Sequence, residues 1–239
     1  MSSNIPRNSG PGGTVLCEHC STRGRCLFSV LSLPNNDHFR SFVRERAVGV
    51  GETLEAEGSL GQTLGVIKVG LLRGVRGHPG EDGKSVLLMG KGRLVGFTLP
   101  FGQAALLSLV AITPTRVCEV DIRVVRDLAM PHEPFQQAIY GAIAGFVGTM
   151  ADWSRLLRED SYLVKVGAAL RLIAAEEGSP SFRIPSHTEL ANVLGARRET
   201  VARHIAILID KGLFRKIDRW HGVLTADRSA WQRAGAARS

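Results

Sequence analysis

Hydrophobic and polar positions follow two different rhythms along the 239-residue chain. Between about Val48 and Cys118, short apolar runs alternate with turn-forming residues, and 14 of the 27 glycines fall between Gly49 and Gly102. The apolar runs are Leu64–Val69, Ser85–Met89, Leu94–Phe97 and Val117–Val120. Short segments of β propensity with frequent turn signals predict an antiparallel β sandwich or roll in this part of the chain.

Beyond the roll, the apolar residues adopt a helical spacing of three and four. The stripe consists of Phe135, Ile139, Ile143, Phe146, Met150, Trp153 and Leu157, and it predicts one face of a long helix. The opposite face is unusually small, with Gly141, Ala144, Gly145, Gly148 and Ala151. A near-heptad stripe suits packing on the protein's own core or pairing with a second copy. We favour pairing, with a dimer interface at Ile139, Ile143, Phe146, Met150, Trp153 and Leu157.

The last third of the chain carries the signals of a helix-turn-helix. A helix is predicted from about Tyr162 to Glu176. Ser186 and Glu189 then have capping-box spacing, which predicts the start of a short helix. Gly195 supplies the turn before a further helix from about Arg197 to Lys211. The basic, strand-like segment that follows predicts a β wing.

Charge supports a polyanionic partner for this part of the chain. From Lys165 to the end there are 13 basic and 7 acidic residues, whereas the first 164 residues hold 17 and 15. Arg198, Glu199 and Arg203 lie at the start of the second helix, where arginine suits guanine and glutamate suits cytosine. Arg197 and His204 suit phosphate contacts. We therefore expect double-stranded DNA to bind here.

The four cysteines are Cys17, Cys20, Cys26 and Cys118. The first three have the spacing C-x2-C-x5-C, and the fourth follows far along the chain. Such a set in a cytoplasmic protein is more often a metal or redox site than a disulfide framework. Four thiolates suit an iron–sulfur cluster or tetrahedral zinc. A cluster fits the wide second spacing better, while zinc and a thiol switch stay open as alternatives.

Other classes of protein find little support in the sequence. There are no paired carboxylates, nucleophile elbow, P-loop or zinc-hydrolase motif, so we expect no enzymatic activity. The N-terminal segment has no apolar run and therefore does not resemble a secretory signal. The uncharged stretch 134–151 is at the short limit for crossing a bilayer. We expect no membrane contact and a cytoplasmic location.

The order of roll, long helix and winged helix resembles the CRP/FNR family of bacterial regulators over almost the whole chain. The most specific local match is Arg198-Glu199-Thr200-Val201-Ala202-Arg203. It looks like the Arg-Glu-Thr-Val-Gly-Arg recognition helix of the cyclic-AMP receptor branch, which implies a TGTGA-like half-site. One departure is Arg197, since the family usually has Ser or Thr there as a helix cap.

The cysteines resemble those of the FNR branch. That branch has C-x2-C-x5-C near the N-terminus and a fourth ligand in a Val-Cys-Glu segment, and Cys17, Cys20, Cys26 and Cys118 match all four positions. The resemblance implies a [4Fe–4S] cluster as cofactor. The stretch 96–102, which matches the family's phosphate-binding cassette, has neither Glu nor Arg. We therefore expect no cyclic nucleotide.

The resemblance implies an α+β fold with three parts. Residues 1–133 form the cysteine loop and a cyclic-nucleotide-binding-like jelly roll, 134–160 the dimerisation helix, and 161–239 the winged helix-turn-helix domain. It also implies a homodimer that binds a palindromic DNA site and contacts RNA polymerase. Oxygen or redox state is the expected signal through the cluster. Nitric oxide is an open alternative, because Arg23 and Arg25 make the ligand loop more basic than is usual in the family.

Overall fold

The computed structural model describes residues 19–30, 37–77, 83–225 and 231. Its N-terminal half is a β roll of two four-stranded antiparallel sheets, with strand orders β1-β8-β3-β6 and β2-β7-β4-β5. The strands are β1 Arg44–Val48, β2 Thr53–Glu55, β3 Thr63–Val69, β4 Leu72–Arg76, β5 Lys84–Met89, β6 Leu94–Val95, β7 Ser108–Ala111 and β8 Thr115–Asp121. The short helix α1, Asp37–Arg40, precedes them, and two 3-10 turns, Arg23–Arg25 and Leu27–Ser29, precede α1.

The C-terminal half is helical, with a small three-stranded sheet in the order β10-β11-β9. Its elements are α2 Ile122–Val124, α3 Glu133–Leu157, α4 Tyr162–Glu177, β9 Ser181–Arg183, α5 His187–Leu194, α6 Arg198–Asp210, β10 Phe214–Lys216 and β11 His221–Leu224. A roll, a long helix and a winged helix-turn-helix follow in the predicted order, so the fold class is confirmed. No helix in the described ranges combines the length and apolarity that crossing a membrane requires.

The strands that the apolar runs did not predict are short, with three to five residues each. β1 has the sequence Arg-Glu-Arg-Ala-Val and only Val48 is buried. β2, β4 and β7 were likewise absent from the predicted runs. β9 was also missed; it pairs with β11 and gives the wing a third strand. In each case the register with a neighbouring strand, which no local pattern encodes, completes the sheet.

Helix α3 buries three of the six residues of the predicted dimer interface in the protein's own cores, which corrects the prediction at those three positions. Ile139, Phe146 and Trp153 are 1%, 7% and 0% exposed, and the other three members of the predicted interface, Ile143, Met150 and Leu157, are partly buried against the same cores. Side chains that are fully buried within one protomer are unavailable to a partner. The exposed face of α3 is instead the opposite, small one.

A buried ion pair joins the roll to the DNA-binding half. Arg93 follows β5, and its Nη2 donates to Glu176 Oε1 on α4 at 2.6 Å while its Nε donates to Oε2 at 2.9 Å. The backbone N–H of Gly90 also donates to Oε2, at 2.9 Å. The side chain of Glu176 is only 5% exposed. These three bonds satisfy the carboxylate, so the last turn of α4 is fixed to the turn between β5 and β6.

We predict that Glu176→Ala lowers the free energy of unfolding by roughly 3 kcal/mol, because it leaves Arg93 partly buried without its partner. Urea denaturation followed by circular dichroism measures the change. Glu52→Ala is the matched control, since Glu52 pairs with Arg46 at the surface and such pairs contribute about 0.5 kcal/mol. Equal losses in the two variants would contradict the prediction.

Candidate metal and DNA-binding sites

The cysteine loop, residues 19–30, is anchored on the roll. Leu27 and Phe28 are buried in the second hydrophobic core, which also contains Cys118. The Thr22 hydroxyl, on a residue that is itself buried, donates to the backbone carbonyl oxygen of Lys68 on β3 at 2.8 Å. The 3-10 turns on either side of Cys26 therefore have a fixed place beside the sheet that carries Cys118.

Cys118 lies on β8, in the middle of that sheet. It is paired with Glu45 on β1 and with Val66 on β3. Cys26 is half-buried and packs against the same core as Cys118. The fold thus brings a cysteine from the N-terminal motif together with the distant one. Cys17 lies outside the described residues.

The environment of Cys118 disfavours a free thiolate. Burial, the largest effect, and the neighbouring Cys26 raise its pKa to about 12, while the positive charge of Lys68 acts in the opposite direction. Cys20 also adds to the rise, so all three described cysteines interact electrostatically. A buried thiol of this kind loses its proton readily only when a metal or another strong positive charge replaces it.

Lys68 is a member of this site that sequence reasoning missed. Its Nζ lies 2.5 Å from Glu45 Oε2, and Arg116 Nη1 lies 3.0 Å from Glu45 Oε1. The hydrogen bond to Glu45 raises the pKa of Lys68, and the charges of Cys118 and Cys20 add to this. A cation therefore stands beside the thiols. The signal in the sequence was a single lysine within an otherwise apolar strand.

The donor set fits a thiolate-bound metal group in its chemistry, since Cys26 packs against the core that contains Cys118, and both Cys26 and Cys20 act electrostatically on Cys118. Within the residues described, no group of three His, Cys, Asp or Glu side chains is close enough to hold one metal ion. Cys17, the fourth predicted ligand, is not among those residues.

The helix-turn-helix forms as its capping signals predict. The Ser186 hydroxyl accepts a hydrogen bond from the Glu189 N–H at 3.1 Å, and Gly195 ends α5 with a left-handed φ of 60°. The reciprocal half of the capping box is not formed, because Glu189 Oε2 is buried without a hydrogen-bond partner among the described residues. Arg197 occupies the cap position of α6 and makes no side-chain cap bond.

Helix α6 separates an inner and an outer face. Val201, Ile205 and Leu208 are buried, while the exposed residues include the four predicted DNA contacts Arg197, Arg198, Glu199 and Arg203. The fifth predicted contact, His204, is half-buried. Its Nδ1 lies 2.7 Å from the Thr200 carbonyl oxygen, and its ring lies 6.1 Å from that of Tyr162 on α4. In this conformation His204 faces the protein's own helices.

His187 is a DNA-site candidate that sequence reasoning missed. It is the first residue of α5, and burial lowers its pKa, as do the positive charges of Lys216 and Arg198. The three residues come from α5, the wing and α6, so these elements converge on one basic surface. A helix N-terminus flanked by basic side chains is well suited to a phosphate group.

The tip of the wing adds an aromatic side chain to this basic half. Trp220 is 48% exposed, and the guanidinium groups of Arg183 and Arg219 lie 5.2 and 4.8 Å from its ring. Asp218 accepts hydrogen bonds from the N–H groups of Trp220 and His221, which fixes the turn. Stacking of arginine on an aromatic face holds the guanidinium groups in place.

The segment that matches the nucleotide cassette is closed by its own side chains. The ring centroids of Phe97 and Phe146 lie 4.7 Å apart. Only a small cavity of about 10 Å³ remains there, and Glu55 and Thr98 are among its lining residues. Burial raises the pKa of Glu55, which accepts a hydrogen bond from the Gly96 N–H at 3.1 Å. A carboxyl group beside this turn is unfavourable for an anionic ligand.

The chain resembles known regulators in sequence and in fold. Residues 161–233 match the Crp-like helix-turn-helix domain family. The cyclic AMP receptor protein of Thermus thermophilus is 28% identical over 203 residues, which are 81% of this chain and 89% of that protein. FixK2 from Bradyrhizobium japonicum has a TM-score of 0.68 at 19% identity, covering 82% of this chain and 99% of its own. A mutant of CooA from Carboxydothermus hydrogenoformans has a TM-score of 0.63 at 14% identity, covering 88% and 96%.

A roll, a long helix and an exposed recognition helix define a DNA-binding regulator with a Crp-like helix-turn-helix domain. Residues 161–233 belong to a Crp-like helix-turn-helix domain, and the chain as a whole is similar in sequence and fold to transcription regulators of the CRP type. The likeness to FixK2 and CooA is one of fold, and the ligands of this chain have to be inferred from its own residues.

We predict that DNA affinity rises as the pH falls from about 8 to about 5.5, because a phosphate at His187 favours its charged form. The pKa of His187 is below its usual range in the free protein, so binding takes up a proton. A rise of about one unit in that pKa strengthens binding up to about tenfold at low pH. Fluorescence anisotropy with a labelled duplex measures the slope.

In the variant His187→Gln the pH dependence should be reduced, whereas His132→Gln, on an exposed residue at the start of α3, should behave as the wild type. An equal pH dependence of DNA affinity in the wild type and in His187→Gln would show that His187 does not contact a phosphate group.

Proposed function

We propose that this CRP-family regulator senses oxygen or redox state through a [4Fe–4S] cluster held by Cys17, Cys20, Cys26 and Cys118. The observation that carries the proposal is that Cys26 packs against the core that contains Cys118, which lies far away in the sequence. The Thr22–Lys68 hydrogen bond supports it, since it fixes the loop in that place.

The residues around the thiols have defined tasks in this proposal. When bound, the cluster supplies an oxidisable iron–sulfur centre. Lys68 stabilises the negative charge of the ligating thiolates, and Glu45 orients Lys68. The core around Leu27 and Phe28 limits access of water to the Cys26 side of the loop. Loss of a ligand thiolate would leave the loop attached by Thr22, by these two side chains and by the contact of Arg25 with α4.

Zinc or a thiol switch is the alternative use of the same residues. Four thiolates also satisfy tetrahedral zinc, and the packing of Cys26 near Cys118 is equally compatible with reversible oxidation of these two thiols. Nitric oxide is an alternative signal for the cluster. Each of these alternatives keeps the same DNA-binding function. They differ in what the four cysteines bind or in the signal that is sensed.

The experiment that tests the cluster is anaerobic purification with iron and sulfide analysis and an absorbance spectrum. We expect about four irons per chain and absorbance near about 400 nm that bleaches in air. The affinity for a palindrome of TGTGA-like half-sites should fall about tenfold or more on bleaching. The variant Cys118→Ser should lack iron, whereas Ser21→Ala, in the same loop, should retain it.

A colourless protein that binds this DNA equally well with and without air would overturn the cluster and leave a regulator with another signal. Zinc in place of iron, bound in the same ratio to the four cysteines, would favour the alternative. An iron-loaded protein whose affinity does not change in air would point to nitric oxide as the signal to test.

The cyclic-nucleotide class of ligand is not part of the proposal. The Phe97–Phe146 ring pair fills the place between the roll and α3, and Glu55 adds a carboxyl group next to the turn of 96–102. We therefore infer that the roll of this chain transmits a signal from its cysteine loop rather than from a nucleotide inside it.

The partners in this proposal are a palindromic DNA site, RNA polymerase and a second copy of the chain. Arg198, Glu199 and Arg203 are exposed together on α6, which supports base contacts in the major groove. Two half-sites of a palindrome require a dimer, and CRP-family regulators act as dimers. Such a dimer requires a surface through which two copies of the chain pair.

We propose that the dimer forms through the exposed small face of α3. This face lies opposite the buried stripe and carries the exposed residues Tyr140, Gly141, Ala144, Val147, Gly148 and Ala151. Tyr140 and Val147 are 52% and 60% exposed although they are large and apolar or aromatic. Small side chains between them let two helices approach closely, with the larger ones packing at the edges.

We predict that Ala144→Glu converts the dimer into a monomer, because the carboxylate would be buried between two helices. Analytical ultracentrifugation of the iron-loaded protein measures the mass. Gln62→Glu, on an exposed residue of the roll just before β3, is the control and should stay dimeric. A dimer that persists in Ala144→Glu would place the interface elsewhere.

A further inference from the structure

The last turn of α4 is held by a second arginine, which comes from the cysteine loop. Arg25 Nη1 donates to the carbonyl oxygens of Ala175 and Glu176 at 3.1 and 3.0 Å. These carbonyl groups belong to the C-terminal turn of a helix, where the partial charge is negative and carbonyl groups have free acceptor capacity; the Ala175 carbonyl oxygen also accepts from the Gly178 N–H at 3.2 Å. A guanidinium group is the side chain best suited to satisfy them.

Two glycines form the slot through which Arg25 reaches α4. Gly92, in the turn between β5 and β6, has φ of 86°, and a Cβ there would lie 2.6 Å from the Cβ of Arg25. Gly178, which ends α4, has φ of 69°, and its Cβ would lie 3.0 Å from Arg25 Nη1. Other residues would be strained at both positions and would narrow the slot. The path of the side chain is therefore closely defined.

Arg25 is also tied to the cysteine next to it. The Arg25 N–H donates to the Thr22 carbonyl oxygen at 2.9 Å, and the Cys26 N–H donates to the Arg23 carbonyl oxygen at 3.2 Å. Residues 22–26 thus form one compact turn. A displacement of Cys26 would move the guanidinium group of Arg25 with it.

The loop has room to move at this point. A cavity of about 460 Å³ lies between the cysteine loop, the β5–β6 turn, α3 and α4, and Arg25, Cys26, Arg93, Ala138 and Ala175 are among its lining residues. Packing on this side of the loop is therefore incomplete. The Arg25 contact could be lost without displacing α3.

We propose that Arg25 is a positioning residue that transmits the state of the cysteine loop to the DNA-binding domain of the same protomer. With the loop in place, Arg25 and Arg93 together fix the end of α4; when the loop rearranges, only Arg93 remains. Because the recognition residues Arg198 and Arg203 are exposed in this docked arrangement, the contact orients the domain and does not mask it. This inference rests on the proposed function, since it takes the loop as the sensor, and it acts in addition to dimerisation.

The test compares Arg25→Ala with Arg25→Lys and with the matched control Arg23→Ala, which removes a charge from the same loop. Amide hydrogen exchange over residues 174–179 reports the end of α4, and DNA affinity, iron content and mass are measured on the same anaerobic samples. We expect faster exchange and a loss of DNA affinity of about five- to tenfold in Arg25→Ala, with iron and mass unchanged. Arg25→Lys should lie between, and Arg23→Ala should match the wild type.

Transmission from the cysteines is tested by the double variant Arg25→Ala/Cys26→Ser. If the loop acts on α4 through Arg25, Cys26→Ser alone accelerates exchange at 174–179, and adding Arg25→Ala has no further effect. Additive effects, or wild-type exchange and affinity in Arg25→Ala, would overturn the proposal.

The exchange comparison separates this inference from the cluster hypothesis. It is repeated on chelated, iron-free samples of the wild type and of Arg25→Ala, so a variant that fails to take up iron is still informative. A wild type without iron would overturn the cluster, and the exchange in the iron-free pair would still decide whether Arg25 holds α4. Equal exchange in that pair would overturn the role of Arg25.

Discussion

An apolar side chain of α3 that is buried in the protein's own core cannot also pack against a second copy of the chain. The other elements of the molecule are arranged around this constraint. The N-terminal part of α3, with Phe135 and Ile139, completes the core under the cysteine loop, whereas Phe146 and Trp153 complete the core shared by the roll and the DNA-binding domain. One helix therefore joins both cores. On α3 itself, the small face on the other side is exposed, and it is the surface that we propose for a second copy, because helix axes can approach closely there.

The sequence predicted where the helices lie more reliably than it predicted the surfaces against which they pack. Spacing of three and four defined α3 almost to its ends, because periodicity reports that a face is buried. It does not report what buries it, so the stripe was assigned to a partner instead of to the roll. Strands such as β1 were missed for a related reason: its charged residues pair with β8 through the backbone, and that register depends on residues 70 positions away.

Both candidate sites combine residues that a local sequence motif predicts with residues that only the fold brings into place. The predicted recognition helix is a contiguous motif, so Arg198, Glu199 and Arg203 could be proposed as DNA contacts from sequence, and they are exposed on α6. Lys68 and His187 could not be proposed in this way, because each owes its environment to other elements: Lys68 to Glu45 on β1, and His187 to Lys216 on the wing. Local signals for single basic residues in a strand or at a helix start are too common to identify a site.

A change in the cysteine loop can act on two other elements, α3 and α4. The loop's Leu27–Ser29 turn contacts α3, whose other face is the proposed dimer surface, and its Arg25 holds the end of α4. Contributions through these two routes add as free energies and therefore multiply as affinities, with about 1.4 kcal/mol for each factor of ten. Two modest effects of that size would together change DNA binding about a hundredfold, so neither contact has to be strong by itself for the loop to act as a switch.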